Sequence, residues 1–165
     1  MDQPASQPAS QPASEPATQP IYRRILLPTD GSEASQRAIL AGVNFAREIG
    51  ADVVGLTATP AFHVVSADPD MIEDTPDGYA AASRERAQAL LAAVERAARE
   101  AGVPCRLEQA VSDNPYEAII GTARRLGCDL IVMASHGRRG LQGLLLGSET
   151  QKVLVHSAIP VLVHR

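Results

Sequence analysis

The sequence lacks the features that mark membrane-spanning, secreted and zinc-binding proteins. No apolar run approaches the ~18 residues that a spanning helix requires, and the first twenty residues have neither the basic start nor the apolar stretch of a secretion signal. The two cysteines, Cys105 and Cys128, lie far apart, and no paired Cys or His spacing surrounds them. This pattern argues against a zinc site or a disulfide framework and is typical of reduced thiols. We therefore expect a cytoplasmic protein without a membrane partner.

An excess of positive charge is also missing. The formal charge is −4 over 165 residues, and Asp2 and Glu15 supply −2 of it, which leaves −2 for residues 21–165. A near-neutral domain offers no global field for nucleic acid, so any anion site must be local. The chain also has no G-x-x-x-x-G-K-[ST] phosphate loop, no G-x-G-x-x-G after the first strand and no G-x-S-x-G nucleophile elbow.

Residues 1–20 repeat a tetrapeptide of Gln or Glu, Pro, Ala, and Ser or Thr. Proline in every repeat removes backbone donors, and no large apolar side chain follows Met1, so burial cannot offset the entropy of ordering this segment. We expect a disordered tail at 1–20 and a single folded domain at 21–165, which is long enough to bury one core.

From Arg24 onward, short apolar runs alternate with helical patterns. Strands are predicted at 25–29, 52–58, 105–110, 130–134 and 160–164, and helices at 33–49, 78–101, 115–126 and 149–156. Four strands are nearly continuous apolar runs, as in strands covered on both faces, whereas 105–110 alternates and is predicted at an edge. Helices between consecutive strands indicate a parallel sheet, hence one doubly wound, Rossmann-like α/β domain.

Several helix ends carry their own signals. Gly50, Gly102 and Gly127 follow predicted helices, where left-handed C-caps are common. Asn114 is predicted to be the N-cap of the third helix, because Pro115 follows at the first helical position and an acid lies in the first turn.

The segment 134–151 places four glycines, two adjacent arginines and a serine directly after a buried strand. In open parallel sheets, ligands bind beyond the carboxyl ends of the strands. The glycines are expected to adopt positive φ and approach a ligand closely; they are Gly137, Gly140, Gly143 and Gly147. The helix that begins after Gly147 offers free amides to a phosphate. Arg138 and Arg139 are candidates for charge-assisted hydrogen bonds, although adjacent residues are not expected to face the same group.

Some of these residues also have a purely structural interpretation. Ser148-x-x-Gln151 is a complete capping box, so Ser148 is either an N-cap or a ligand-binding residue. Asp30, at the carboxyl end of the first strand, either meets a ribose or base polar group or braces its turn, and its position favours the first role. His136 has no Cys, His or carboxylate near it in sequence, which favours a hydrogen-bonded loop residue over a catalyst.

Two segments resemble the universal stress protein family: RRILLPTDGSEAS at 23–35 and CDLIVMASHGRRGLQGLLLGSETQKVLVHSAIPVLVHR at 128–165. The resemblance covers residues 22–165 and includes the strand and helix order between the two segments. It implies a five-stranded parallel sheet of order 3-2-1-4-5 and dimers paired through the last strand, residues 160–165, with Pro160 and Arg165 at its ends. In one branch of the family it also implies ATP bound by a G-x2-G-x9-G-[ST] motif.

That motif falls on Ala134, Gly137, Gly147 and Ser148, so Ala134 replaces its first glycine. If the φ angle of Ala134 is negative, its methyl group is harmless; if it is positive, the methyl group crowds the nucleotide. The resemblance assigns the base and ribose side to Pro28, Thr29, Asp30, Ala58 and Met133, and the phosphate side to Gly137, Gly147, Ser148 and Glu149, with Arg138 beside them. The family often has His-Val where this chain has Thr57-Ala58, which predicts a differently shaped adenine pocket.

Three functions stay open on the sequence. The first is a dimeric, ATP-binding stress-response switch or adaptor for an unidentified regulatory protein, with Mg²⁺ bridging the phosphates. The second is a regulatory interaction protein of the same fold that binds no nucleotide, as Ala134 suggests. The third is a slow ATP hydrolase, which is disfavoured because the sequence shows no convincing general base, phosphate-loop lysine or metal cluster. The apolar last strand is expected to form an edge covered by a second copy in antiparallel pairing, or else by its own neighbouring helix.

Overall fold

A computed structural model describes residues 21–62, 76–137 and 146–165. The repeat tail at 1–20 lies outside these ranges, and so do residues 138–145 of the glycine-rich loop, which include Arg138, Arg139, Gly140 and Gly143. What the sequence predicts for them stays a prediction. Within the described ranges, no helix is both long and apolar enough to cross a membrane.

Strands and helices alternate throughout the described ranges. The strands are β1 (Arg24–Pro28), β2 (Asp52–Thr59), β3 (Cys105–Val111), β4 (Leu130–Ala134) and β5 (Val161–His164), and the helices are α1 (Glu33–Ile49), α2 (Pro76–Ala101), α3 (Pro115–Leu126) and α4 (Ser148–His156). All strand pairs are parallel, in the order β3-β2-β1-β4-β5. The predicted fold class and strand order are confirmed, and the predicted element ends differ by at most two residues.

The sheet is covered by two helices on each face. One core cluster contains Ile25 and Leu27 of β1 with side chains of α1 and α2, and the other contains Leu26 with side chains of α3 and α4. Burial on both faces explains why β1 reads as a continuous apolar run. Strand β3 lies at one edge, as its alternating sequence predicts.

The two layers of helices create a crevice at one end of the sheet. Strands β1 and β4 are neighbours, but the helix after β1 packs on one face and the helix after β4 packs on the other. Their connections therefore separate beyond the carboxyl ends of the two strands. In open α/β sheets, this point of separation is where ligands bind.

The predicted C-caps are present, and Asn114 is the N-cap residue of α3 as predicted, but without the expected capping by its side chain. Gly50, Gly102 and Gly127 have φ of 73°, 68° and 66°. Asn114 makes no capping hydrogen bond with its side chain, which instead donates to the Glu117 carboxylate at 3.4 Å. The backbone at Asn114 has φ −113° and ψ 88°, so its own carbonyl, and not its side chain, accepts the early amides of α3.

Candidate functional site

A cleft of about 580 Å³ occupies the crevice at the carboxyl ends of β1, β2 and β4. Every described residue that the sequence assigns to the site lines this cleft: Pro28, Thr29, Asp30, Ala58, Met133, Ala134, Gly137, Gly147, Ser148 and Glu149. The remaining one, Arg138, lies outside the described residues. The structure thus brings these positions together, while their contact with a ligand stays a prediction.

The turn after β1 is held by its own side chains. Thr29 Oγ1 accepts the Gly31 amide at 3.1 Å and lies 3.1 Å from Ser35 Oγ, with which it shares a hydrogen bond. Asp30 Oδ1 accepts the Ser32 amide at 3.0 Å. Asp30 therefore braces its turn through one oxygen, and its other oxygen, Oδ2, faces Gly137.

The predicted positive φ is wrong for both loop glycines that the structure describes. Gly147 has φ −57°, and Gly137 also lies outside the left-handed region. Close packing is what requires glycine there. A Cβ atom on residue 147 would lie 3.2 Å from His136 Cα, and one on residue 137 would overlap the Asp30 carboxylate. Among the described glycines next to the cleft, Gly31 has a positive φ, of 77°, in the turn after β1.

Helix α4 begins at the cleft with free backbone donors. Its N-cap is Gly147, and Ser148 is already helical, so the predicted capping box is not formed. Gln151 donates its amide to the Gly147 carbonyl at 3.0 Å and its side chain to the Leu146 carbonyl at 2.7 Å. The first-turn amides at 148–150 have no carbonyl within the helix to bond, which is the arrangement that binds anions.

Ala134 is the last residue of β4 and is buried against Ala34 and Ala38 of α1. Its carbonyl accepts a hydrogen bond from Thr150 Oγ1 at 3.0 Å, which docks α4 on the end of the strand. The backbone is extended and paired with His164 of β5. The methyl group therefore belongs to a small packed cluster, and the extended backbone is the case in which alanine is harmless.

The cleft has a third wall that sequence reasoning missed. Asp113, Pro115 and Ile119, from the β3–α3 connection and the start of α3, also line it. The available signal was topological, since the carboxyl end of β3 lies at the same end of the parallel sheet as those of β1, β2 and β4. Ser35, Leu56, His136 and Thr150 complete the lining.

The electrostatic character of the cleft is acidic. Carboxylates of Asp30, Asp113 and Glu149 line it, and the lining residues that the structure describes include no lysine or arginine. Each carboxylate accepts a nearby backbone amide, at 3.0, 3.2 and 2.9 Å respectively. Positive potential for a phosphate must come from the start of α4 or from residues outside the described ranges, such as Arg138.

His136 is held as a loop residue. Its Nδ1 lies 3.0 Å from Ser135 Oγ, within hydrogen-bonding distance. Among residues 21–62, 76–137 and 146–165, no group of three or more His, Cys, Asp or Glu side chains is arranged to hold a metal ion.

Comparison with known proteins connects this geometry to one family. A sequence model of the universal stress protein family matches residues 21–165. The chain is 33% identical over 146 residues to universal stress protein MJ0531 of Methanocaldococcus jannaschii, with 87% of this chain and 82% of that protein covered. It is 31% identical over 150 residues to universal stress protein YxiE of Bacillus subtilis, covering 88% and 100%.

Solved structures share the fold. The structure of hypothetical protein MJ0577 aligns with a TM-score of 0.73 and 27% identity, covering 87% of this chain and 95% of that one. Two more align with TM-scores of 0.62. One is a universal stress protein in complex with cAMP, at 24% identity and 87% and 97% coverage. The other is the Archaeoglobus fulgidus protein in complex with dAMP, at 20% identity and 88% and 99% coverage.

Proposed function

Because this chain belongs to the universal stress protein family, we propose that its cleft binds an adenine nucleotide, with ATP as the first candidate. Bound nucleotide would contact the turn after β1, the end of β2 and the start of α4, which pack on different faces of the sheet. Binding would favour the conformation in which these parts are held together. In this proposal the protein is a cytoplasmic, homodimeric switch or adaptor that reports nucleotide binding to a regulatory protein.

One observation carries the proposal. The first turn of α4, whose amides have no partner within the helix, begins at Ser148, directly after Gly147. Gly137 packs against Asp30, and all four residues line a cleft at the switch point of the sheet. Free amides at a helix start favour phosphate, and a carboxylate is suited to ribose hydroxyls. The amide donors and the carboxylate acceptor therefore match the phosphate and ribose groups of a nucleotide.

The cleft also suits the apolar part of such a ligand. Its volume of about 580 Å³ lies within the usual range for small-molecule sites. Leu56, Ala58, Ile119 and Met133 supply apolar lining on which a base can pack. The complexes of two fold relatives with cAMP and dAMP support an adenine ligand. ATP is the first candidate because Gly137, Gly147 and Ser148 match three of the four positions of the motif that the resemblance associates with the ATP-binding branch.

The homodimer is proposed on the free edge of β5. This strand pairs with β4 on one side only in the described sheet. Leu162 is 42% exposed there, and Val155 at the end of α4 is 75% exposed. A second copy pairing in antiparallel register would cover both the unpaired backbone and these side chains.

A second candidate is an interaction protein of the same fold that binds no nucleotide. The observation in its favour is the acidic cleft lining, since Asp30, Asp113 and Glu149 would repel phosphates unless the α4 start and Arg138 outweigh them. The two candidates make opposite predictions for the same binding experiment.

The test begins with the full-length chain purified without added nucleotide. Acid precipitation followed by mass spectrometry of the supernatant identifies any nucleotide that copurifies. Calorimetry of nucleotide-free protein with ATP, AMP, cAMP, adenosine and tripolyphosphate then separates base recognition from phosphate recognition. We expect ATP to bind more tightly than adenosine or tripolyphosphate alone. At 100 times Kd, ATP should stabilise the fold by about 2.7 kcal/mol. An empty supernatant together with no heat from any ligand supports the second candidate.

A further inference from the structure

Helices α3 and α4 begin side by side at the cleft, and the side chain of Glu149 connects their first turns. Glu149, in the first turn of α4, accepts the backbone amide of Tyr116 on Oε2 at 2.9 Å. Its other oxygen, Oε1, accepts Lys152 Nζ at 2.7 Å. Both carboxylate oxygens are therefore engaged, and the side chain is only 33% exposed.

The amide that Glu149 accepts is the one donor at the start of α3 that needs an outside partner. Pro115 has no N–H, and the amides of Glu117 and Ala118 donate to the Asn114 carbonyl at 3.1 and 3.2 Å. Tyr116 has no such carbonyl in its own helix. A carboxylate from a different helix, 33 residues away in sequence, thus accepts the first-turn amide that the N-cap residue Asn114 leaves unbonded.

Other contacts fix the geometry of this bridge. Lys152 Nζ lies 5.3 Å from the centre of the Tyr116 ring, within the range of a cation–π interaction. The Tyr116 ring also packs against His156 with 5.5 Å between centres. Tyr116, whose amide Glu149 accepts, and Lys152, which neutralises Glu149, are therefore in contact with each other.

The bridge connects two neighbouring walls of the cleft. Pro115 and Ile119 of α3 line one wall, and Gly147 and Ser148, at the start of α4, line the other. We propose that Glu149 is a positioning residue: its carboxylate, bound to the Tyr116 amide, sets the separation between the base-side wall on α3 and the phosphate-side amides on α4. This inference rests on the proposed function, since it concerns the affinity of that same site.

A positioning role and a direct electrostatic role predict different results. A carboxylate that only repels phosphate would, when removed, tighten ATP binding and leave adenosine unchanged. A carboxylate that sets the separation of the walls would, when removed, weaken the binding of ATP, which contacts both walls, more than that of adenosine, which lacks the phosphates. Because both oxygens already have partners, we expect the second pattern.

The experiment measures the Kd of adenosine and ATP by calorimetry for the full chain and four variants. E149A loses the bridge, E149D keeps the charge but shortens the side chain by one methylene, and E149Q keeps an acceptor for the Tyr116 amide. We expect E149A and E149D to weaken ATP binding about tenfold and adenosine binding by a smaller factor, and E149Q to keep both affinities within about threefold of wild type. E33A is the control, because Glu33 is also a first-turn acid paired with a basic side chain, Arg37, but lies outside the cleft; its affinities should not change.

Several results overturn the proposal. Unchanged affinities in both E149A and E149D refute it, and so does tighter ATP binding with unchanged adenosine binding. If E149A does not fold, E149D and E149Q decide the matter, since a positioning role requires them to differ. Wild-type protein that binds neither ligand refutes the proposed function, and this inference with it. Binding by wild type without an effect of Glu149 refutes this inference alone.

Discussion

Gly137 lies so close to Asp30 that a Cβ atom on residue 137 would overlap the Asp30 carboxylate. The loop that leaves β4 is thereby held directly on the turn that leaves β1. These two strands are neighbours whose connections separate to opposite faces. The missing side chain at 137 is thus what allows the two sides of the cleft to meet.

This contact predicts that G137A destabilises the fold when Asp30 is present and has little effect when it is absent. The added methyl must displace Asp30, which is braced by the Ser32 amide at 3.0 Å, so the free energy of unfolding should fall by about 1–3 kcal/mol. In a D30A background the same substitution should cost little, because the obstructing carboxylate is gone. Urea denaturation of the four proteins measures the coupling. G121A is the matched control, since residue 121 has open space around it in α3. A cost for G137A that is equal in both backgrounds would contradict this account.

A second prediction concerns the one departure from the family motif. Ala134 packs against Ala34 and Ala38 on an extended backbone, so A134G removes buried contact and adds backbone freedom. We expect the variant to lose about 1–2 kcal/mol of stability and to keep its ATP affinity within about twofold. Calorimetry with thermal denaturation of both proteins is the check. ATP binding that is found in A134G and absent from wild type would instead support the interaction protein without nucleotide.

The general form of the site was predictable from the sequence because it depends on topology and local pattern. Continuous apolar strands, glycines after helices and alternating element types predict a parallel sheet, and the carboxyl ends of such strands must meet at one edge. For that reason Asp30 and the glycine-rich loop with Gly137, Gly147 and Ser148 could be placed at the same edge although they are far apart in the chain. The resemblance to the family added Pro28, Thr29, Ala58, Met133 and Glu149.

The errors concern which local partner a polar group selects. Ser148 and Gln151 have capping-box spacing, but Gly147 takes the N-cap position and Gln151 bonds Leu146 instead. Asn114 is the N-cap residue of α3, but its side chain bonds Glu117 and no backbone amide of the helix. The Tyr116 amide is bonded by Glu149, in a contact between helices that no local pattern encodes. Helix ends with several competing acceptors are decided by tertiary packing, which a single sequence does not reveal.

The two cysteines should differ in reactivity and in their effect on stability at high pH. Burial raises the pKa of the Cys128 thiol from the ordinary value of 9.0 to about 11. Partial burial also raises the pKa of the Cys105 thiol, but this residue is exposed at the surface and Cys128 is not. At pH 8 a maleimide should label Cys105 in the native protein and Cys128 only after unfolding. Because the folded pKa is the higher one, the stabilising contribution of the neutral Cys128 thiol is complete below pH 9 and is lost as pH rises toward 11. C128A should show a smaller decline in stability over that interval, as measured by urea denaturation. Equal declines would contradict this assignment.

The free edge of β5 predicts which amide a second copy must use. The carbonyls of Pro160 and His164 accept amides from β4 and the residue after it, at 3.0 and 2.8 Å. Hydrogen-bonding groups alternate sides along a strand, so the amide of Val163 points away from β4. V163P removes that outward donor and leaves the β4 pairing intact, as proline at edge positions generally does. Light scattering at micromolar concentration should give a dimeric mass for wild type and a monomeric mass for V163P.

Val111 supplies the control for this experiment at the opposite edge of the sheet. Ser112 donates its amide to Thr59 of β2, so by the same alternation the amide of Val111 also points outward, from β3. V111P therefore removes an equivalent donor from the other free edge and should leave the dimer intact. A dimer that persists in V163P and is lost in V111P would place the interface on β3 instead. A monomeric wild type would refute the dimer itself, and loss of the dimer in both variants would show that the effect of proline is not specific to β5.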